Sequence, residues 1–244
     1  MEEAIEVQNL TKDYNARKAL KGISFSVHVG EIFGFLGPNG AGKTTAIRIL
    51  TGQLRPSAGR AWVLGCDVVK EREAIKPQVG VVFEYQNLYQ RLSARDNLNF
   101  AANLYGVPKT RVNAILRQVG LIDRADDSLK KYSNGMKQRL LIGRALLHQP
   151  KILFLDEPTR GLDPNVSRGI RTMVKELSKQ GVTVFLTTHY MEEADQLCDR
   201  VAILDEGHIV ALGLPGALKE IYGLGEGITL EDVFVELTGH RLVV

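Results

Sequence analysis

The sequence predicts an α/β fold in which a parallel sheet surrounds a phosphate-binding loop, with antiparallel strands near the N-terminus and a helical insertion. Three observations carry this. Short continuous apolar runs at residues 32–36, 79–83, 152–155 and 182–187 alternate with helical stretches, as strands buried on both faces and joined by crossovers do. The first run leads into Gly-Pro-Asn-Gly-Ala-Gly-Lys-Thr at residues 37–44, and that motif into a predicted helix over 43–50. Residues 93–148 hold no comparable strand. They carry helix-spaced apolar residues (Leu98, Ala101, Ala102, Tyr105, then Val112, Ile115, Leu116, Val119) broken at Gly106-Val107-Pro108 and at Gly120.

The remaining elements follow in order. Residues 4–10, 23–29 and 59–64 alternate apolar with polar or small side chains, the signature of half-buried antiparallel strands. After Gly207 a short strand is predicted, then helices opening at Pro215 and near Thr229, where Thr229-Leu230-Glu231-Asp232 forms a capping box. No repeat or second nucleotide motif occurs, so residues 1–244 read as one domain. Its core and β portion take approximately 1–85 and 150–213, the helical portion 86–149 and a helical tail 214–244.

Composition narrows the functional classes. The chain is 44% hydrophobic and 24% charged, ordinary for a globular protein able to bury a core. Its 31 Lys and Arg against 28 Asp and Glu are interspersed, so no basic nucleic-acid footprint is expected. No apolar run approaches the roughly 20 residues of a membrane-spanning helix. The start, Met-Glu-Glu-Ala-Ile-Glu, is acidic where a secretory signal is basic. Cys66 and Cys198 stand far apart without metal-like neighbours, which fits a reducing cytosol.

The phosphate loop matches G-x-x-x-x-G-K-[ST] in its proper strand–loop–helix setting. Its glycines let backbone N–H groups converge on phosphate oxygens, aided by the helix N-terminus. Gly37, Pro38, Asn39, Gly40, Ala41, Gly42, Lys43, Thr44 and Thr45 are therefore the candidate nucleotide-binding residues, with Lys43 reaching phosphates and the Thr44 hydroxyl ligating Mg²⁺. The run at 152–155 ends in Asp156 and Glu157, at the sheet edge where ligands gather. Asp156 suits a metal; Glu157 suits a general base for water.

Together with the motifs below, this chain resembles the ATP-binding subunits of ABC transporters over essentially its whole length. The resemblance implies the ABC ATPase fold: a P-loop NTPase core with a parallel sheet, an N-terminal antiparallel β subdomain and an inserted helical subdomain. It implies ATP and Mg²⁺ as cofactors and Tyr14 as the side chain stacking on adenine. Tyr132-Ser133-Asn134-Gly135-Met136-Lys137-Gln138-Arg139 falls where the family carries its Leu-Ser-Gly-Gly-Gln signature, ahead of a helix expected to reach about residue 148. By resemblance Ser133, Asn134, Gly135 and Met136 face the γ-phosphate bound on a second protomer. Tyr132, Asn134 and Met136 depart from the consensus, and asparagine suits a turn that needs a positive φ.

Further roles come from the same resemblance. His189 is the switch histidine sensing the γ-phosphate, and Asp163 in Gly161-Leu162-Asp163 is a contact between protomers. The family's usual glutamine after the run at 79–83 is replaced by Glu84, which would join Thr44 and Asp156 around Mg²⁺ and make the metal more strictly necessary. Gln86, two residues later, is the alternative for that position. His28, His148, His208 and His240 match no motif and read as structural or surface residues.

The Tyr-Ser-x-Gly-Met signature and the ending from Thr229 to Gly239 resemble the branch of exporters with separate type-two permease subunits. That implies a second ATPase subunit, identical or homologous, and separate transmembrane permeases, with the chain peripheral on the cytoplasmic face of the membrane. Tyr85, Leu88 and Tyr89 are candidate permease contacts. The rival reading is a soluble clamp of the same family acting on nucleic acid or the ribosome. Such relatives carry coiled-coil insertions or two nucleotide modules, which this chain does not.

Overall fold

A computed structural model describes residues 2–15, 17–222 and 227–239. Strands β1 (Glu3–Tyr14) and β2 (Arg17–His28) form a long antiparallel hairpin, with Tyr14 opposite Arg17 at its tip. Both run further than the apolar alternation predicts, because the ladder continues with Lys12 opposite Leu20 and Asp13 opposite Lys18, where backbone pairing needs no apolar alternation. With β4 (Ala58–Val63) and β5 (Cys66–Asp67) they complete a four-stranded sheet of order β2-β1-β4-β5.

The central sheet has six strands in the order β10-β9-β3-β8-β7-β6. These are β3 (Ile32–Leu36), β6 (Val79–Val82), β7 (Ile152–Asp156), β8 (Thr183–Thr188), β9 (Arg200–Asp205) and β10 (His208–Gly213). All neighbours are parallel except β9 and β10. Four of the strands and the one after Gly207 match the prediction. β9 was not among them, although residues 201–204 are a buried apolar run of the same kind.

The continuous apolar runs now have a physical explanation. Along β3, Phe33 and Phe35 point to one face while Ile32 and Leu36 point to the other; Phe154 and Phe185 share the aromatic face. There Phe25, Phe33, Phe35, Phe154 and Phe185 stack with centroids 5.3–6.1 Å apart, between the central sheet and the antiparallel one. Helix α1 (Lys43–Leu50) closes that side with Ile47 and Leu50. A short helix, α2 (Arg72–Ile75), buries Ile75 in the same cluster.

The opposite, aliphatic face is covered by α3 (Ala94–Tyr105), α4 (Lys109–Gln118), α5 (Asn134–Ala145), α6 (Pro164–Lys179) and α7 (Met191–Leu197). Gly106, at φ 65°, ends α3, and Pro108 caps α4 as the predicted break requires. Helix α5 stops at Ala145, earlier than expected. Pro150 disfavours helical backbone in the residue before it, and Gln149 turns at φ 55° to enter β7.

Helices α8 (Pro215–Tyr222) and α9 (Leu230–Thr238) fold back onto this face. The capping box at Thr229 is formed: its hydroxyl accepts from the Asp232 N–H while the Asp232 carboxylate accepts from the Thr229 N–H. Leu230, Val233 and Phe234 are buried in the same aliphatic cluster as Met191 and Leu197 of α7. Helix α9 is therefore part of the core. Phe234→Ala is expected to lower the urea midpoint by the equivalent of about 3 kcal/mol with an unchanged m-value, measured by circular dichroism.

Candidate nucleotide site

The parallel register brings the ends of β3, β7 and β8 level, pairing Leu36 with Thr188 and Asp156 with Thr187. Gly37 leaves β3 where a Cβ would lie 2.3 Å from the Leu204 carbonyl oxygen, so no side chain fits. Gly42 meets the same requirement: its φ is 113°, and a Cβ there would stand 2.5 Å from the Ala19 carbonyl oxygen. Helix α1 begins immediately after Gly42 with no side-chain cap, leaving its first N–H groups to face an anion.

Lys43 is buried and reaches back over the loop. Its Nζ donates to the Gly37 carbonyl at 2.7 Å and to that of Pro38 at 3.1 Å, and lies 3.0 Å from Glu157 Oε1. The Thr44 hydroxyl donates to Asp156 Oδ2 at 2.8 Å, while the Thr187 hydroxyl donates to Oδ1 at 2.6 Å. Both oxygens of this buried carboxylate are thus fixed.

Glu157 follows with φ 51°, an uncommon left-handed conformation for a side-chain-bearing residue. Its N–H is anchored on Thr187, 3.1 Å from both the carbonyl and hydroxyl oxygens. His189 Nδ1 lies 2.8 Å from Glu157 Oε2 and donates to it. Oε1 has only the ion pair with Lys43, without hydrogen-bond geometry.

A cavity of about 270 Å³ gathers Tyr14, Asn39, Gly40, Gly42, Lys43, Thr44, Thr45, Glu84 and Glu157 in its lining. Tyr14 is partly exposed there, with the Lys12 ammonium 5.3 Å from its ring centre. Glu84 belongs to this wall and pairs with the Arg160 guanidinium, whereas Gln86 is exposed and outside it. Arg17, absent from the sequence candidates, also lines the cavity and donates to the Gly40 carbonyl at 2.9 Å. Its place opposite Tyr14 at the hairpin tip was hidden by the underestimated length of β1 and β2.

Ser133, Asn134, Gly135, Met136 and Asp163 do not line this cavity. Ser133 caps α5, its hydroxyl accepting from the Met136 N–H at 3.2 Å, and Asp163 caps α6 by accepting from Val166 N–H at 3.0 Å. Asn134 corrects an expectation: it is the first residue of α5, with no positive φ, so the departure from glycine asks nothing special of the backbone. At Gly135 a Cβ would stand 2.3 Å from Val166 Cγ1, so the two capped helix starts touch.

A buried carboxylate that motif reading missed lies beneath. Glu193 Oε2 accepts from the Thr159 hydroxyl at 2.6 Å, and Arg171 lies 3.5 Å from Oε1; burial raises its pKa above the ordinary carboxylate value. Among the other histidines, His148 donates to the Val79 carbonyl at 3.0 Å and stacks on Tyr105, a structural role. His28 and His208 lie away from the cavity, and His240 falls outside the described residues.

The hydroxyl of Thr44 and the carboxylates of Asp156 and Glu84 are hard oxygen donors of the kind magnesium takes. Among the described residues no cluster of three His, Cys, Asp or Glu could hold a metal unaided. A magnesium held there would draw its remaining ligands from phosphates and water.

The sequence pattern of the family described as ABC transporter matches residues 20–160, which run from β2 through both phosphate-loop and acidic motifs to Arg160. The fluoroquinolones export ATP-binding protein of Mycobacterium tuberculosis is 45% identical, over 98% of this chain and 95% of that protein. The linearmycin resistance ATP-binding protein LnrL of Bacillus subtilis (strain 168) is 43% identical, over 86% of this chain and 68% of that protein. A solved structure of an ATP binding subunit of an ABC transporter superposes with a TM-score of 0.85 at 31% identity, over 96% of this chain and 99% of that one. The resemblance drawn from the motifs and the fold it implied both hold: the chain belongs to the ABC transporter family, among relatives named for export and drug resistance.

Proposed function

We propose that this chain is the magnesium-dependent ATPase subunit of an export transporter, one of two subunits that close around ATP and drive a separate membrane permease. The observation that carries this reading is the convergence of Lys43, Asp156, Glu157 and His189 at one end of the parallel sheet, beside an uncapped helix N-terminus. The export and resistance names of its relatives support the direction of transport.

Loop N–H groups and Lys43 bind the triphosphate, and Tyr14 stacks on the base. Thr44 and Asp156, with Glu84 as a further carboxylate, would hold magnesium, which when bound would offset phosphate charge. Glu157 takes a proton from the attacking water as its oxygen bonds to the γ-phosphorus and the bridging P–O bond breaks. His189 steers that base by holding Oε2. Lys43, engaged with phosphate, leaves Oε1 free for the proton; the ion pair between them keeps the base occupied until then.

The patch of Ser133, Asn134, Gly135, Met136 and Asp163 completes the site of a partner, identical or homologous. A groove lined by Phe83, Leu88, Tyr89, Phe100 and Leu104, with Tyr85 exposed beside it, is the docking face for the permease. No helix among the described residues is long and apolar enough to cross a membrane. The subunit then sits on the cytoplasmic face. We assign residues 1–85 and 150–213 to the catalytic core, 86–149 to the helical portion and 214–244 to the tail.

Three outcomes test this. Glu157→Gln should bind ATP yet lose about 10²–10⁴ in turnover by phosphate release; undiminished turnover would remove Glu157 from the base role. Lys43→Ala should weaken nucleotide binding by about tenfold or more, read by fluorescent-nucleotide titration. Affinity purification from detergent-solubilised membranes should recover a polytopic membrane protein in stoichiometric amount; recovery with ribosomes or nucleic acid alone would replace the transporter reading with the clamp.

A further inference from the structure

Three carboxylates lie at one end of the central sheet. Glu84, two residues beyond the end of β6, lines the same cavity as Glu157, and Asp156 ends β7 paired with Thr187 of β8. Two of the three are already answered: Asp156 by the hydroxyls of Thr44 and Thr187, Glu157 by Lys43 and His189. Glu84 has a different partner. Arg160 Nη1 donates to Glu84 Oε1, and the turn that presents Arg160 is closed by its own N–H on the Glu157 carbonyl at 3.2 Å.

The charge balance makes this pair consequential. Lys43 offsets Glu157 and Arg17 is the other cation of the lining, so an unpartnered Glu84 would cancel the one surplus positive charge of a wall that must receive a polyphosphate. A neutral side chain at that position would raise no such difficulty. Arg160 cancels the added charge without entering the cavity lining itself.

We propose that Arg160 is the positioning residue for Glu84: it neutralises the carboxylate and holds it against the cavity wall, so that the site accepts a nucleoside triphosphate despite an acidic side chain there. This rests on the reading of the cavity as the nucleotide site.

The proposal predicts opposite signs for the two partners. In EDTA at low ionic strength, Arg160→Ala should weaken binding of a fluorescent ATP analogue about tenfold, the size expected of one charge several ångströms from phosphate. Glu84→Gln should tighten the same metal-free binding a few-fold, because it leaves Arg160 uncompensated. The double variant should return to near the wild-type value. Added magnesium should shrink the Arg160→Ala deficit, since the metal supplies the missing positive charge.

A purely structural contact would instead make both single variants weaker and leave the double variant unrescued. Wild-type affinity in Arg160→Ala, or a double variant as weak as Arg160→Ala, overturns the proposal. Thermal melts verify folding, and Arg160→Gln carries the same expected sign should the alanine variant fail to fold. Lys43→Ala, titrated in parallel, separates the two levels: binding lost there with Arg160→Ala unaffected defeats only this proposal. A wild-type chain that does not bind the analogue defeats the nucleotide reading itself.

Discussion

The buried carboxylate of Asp156 is the fixed point of the structure. It ends β7, accepts the Thr44 hydroxyl from the helix that follows β3, and accepts the Thr187 hydroxyl from β8. A carboxylate removed from water is costly unless its oxygens are bonded, and here each is. The Thr44 bond ties the phosphate loop to the acidic strand end, and the Thr187 bond ties that end to β8. The parallel register that sets Asp156 beside Thr187 also sets Leu36 beside Thr188, so loop, base and histidine leave the sheet at one level.

From that point the two faces of the sheet do different work. The stacked phenylalanines join the central sheet to the antiparallel hairpin whose tip brings Tyr14 and Arg17 to the cavity. The aliphatic face anchors the helices that carry Ser133 and Asp163 at their starts, and Gly135 leaves room for the Val166 side chain through which these helices meet. Packing thus places the two exposed caps together while keeping them out of the chain's own cavity.

The phosphate loop, Asp156–Glu157 and the four buried strands were legible because each has a local physical signature: glycines where backbone must approach an anion, and apolar runs ended by polar chemistry. Tyr14, the signature residues, Asp163 and His189 were visible only by resemblance, since a lone tyrosine or histidine has no signature of its own. Arg17, Arg160, Thr187 and Glu193 stayed hidden. Their partners lie 23, 76, 31 and 34 residues away in the chain, distances that only the fold closes. Asn134 shows the converse, a residue suited to a positive φ that sits in ordinary helix.

Glu157 occupies a backbone conformation that glycine or asparagine adopts more readily. The left-handed turn after β7 sets its carboxylate between Lys43 and His189. Local comfort and side-chain position therefore pull in opposite directions at this residue. A lineage selected for thermal robustness alone would tend to drift away from glutamate here, while one selected for chemistry would hold it.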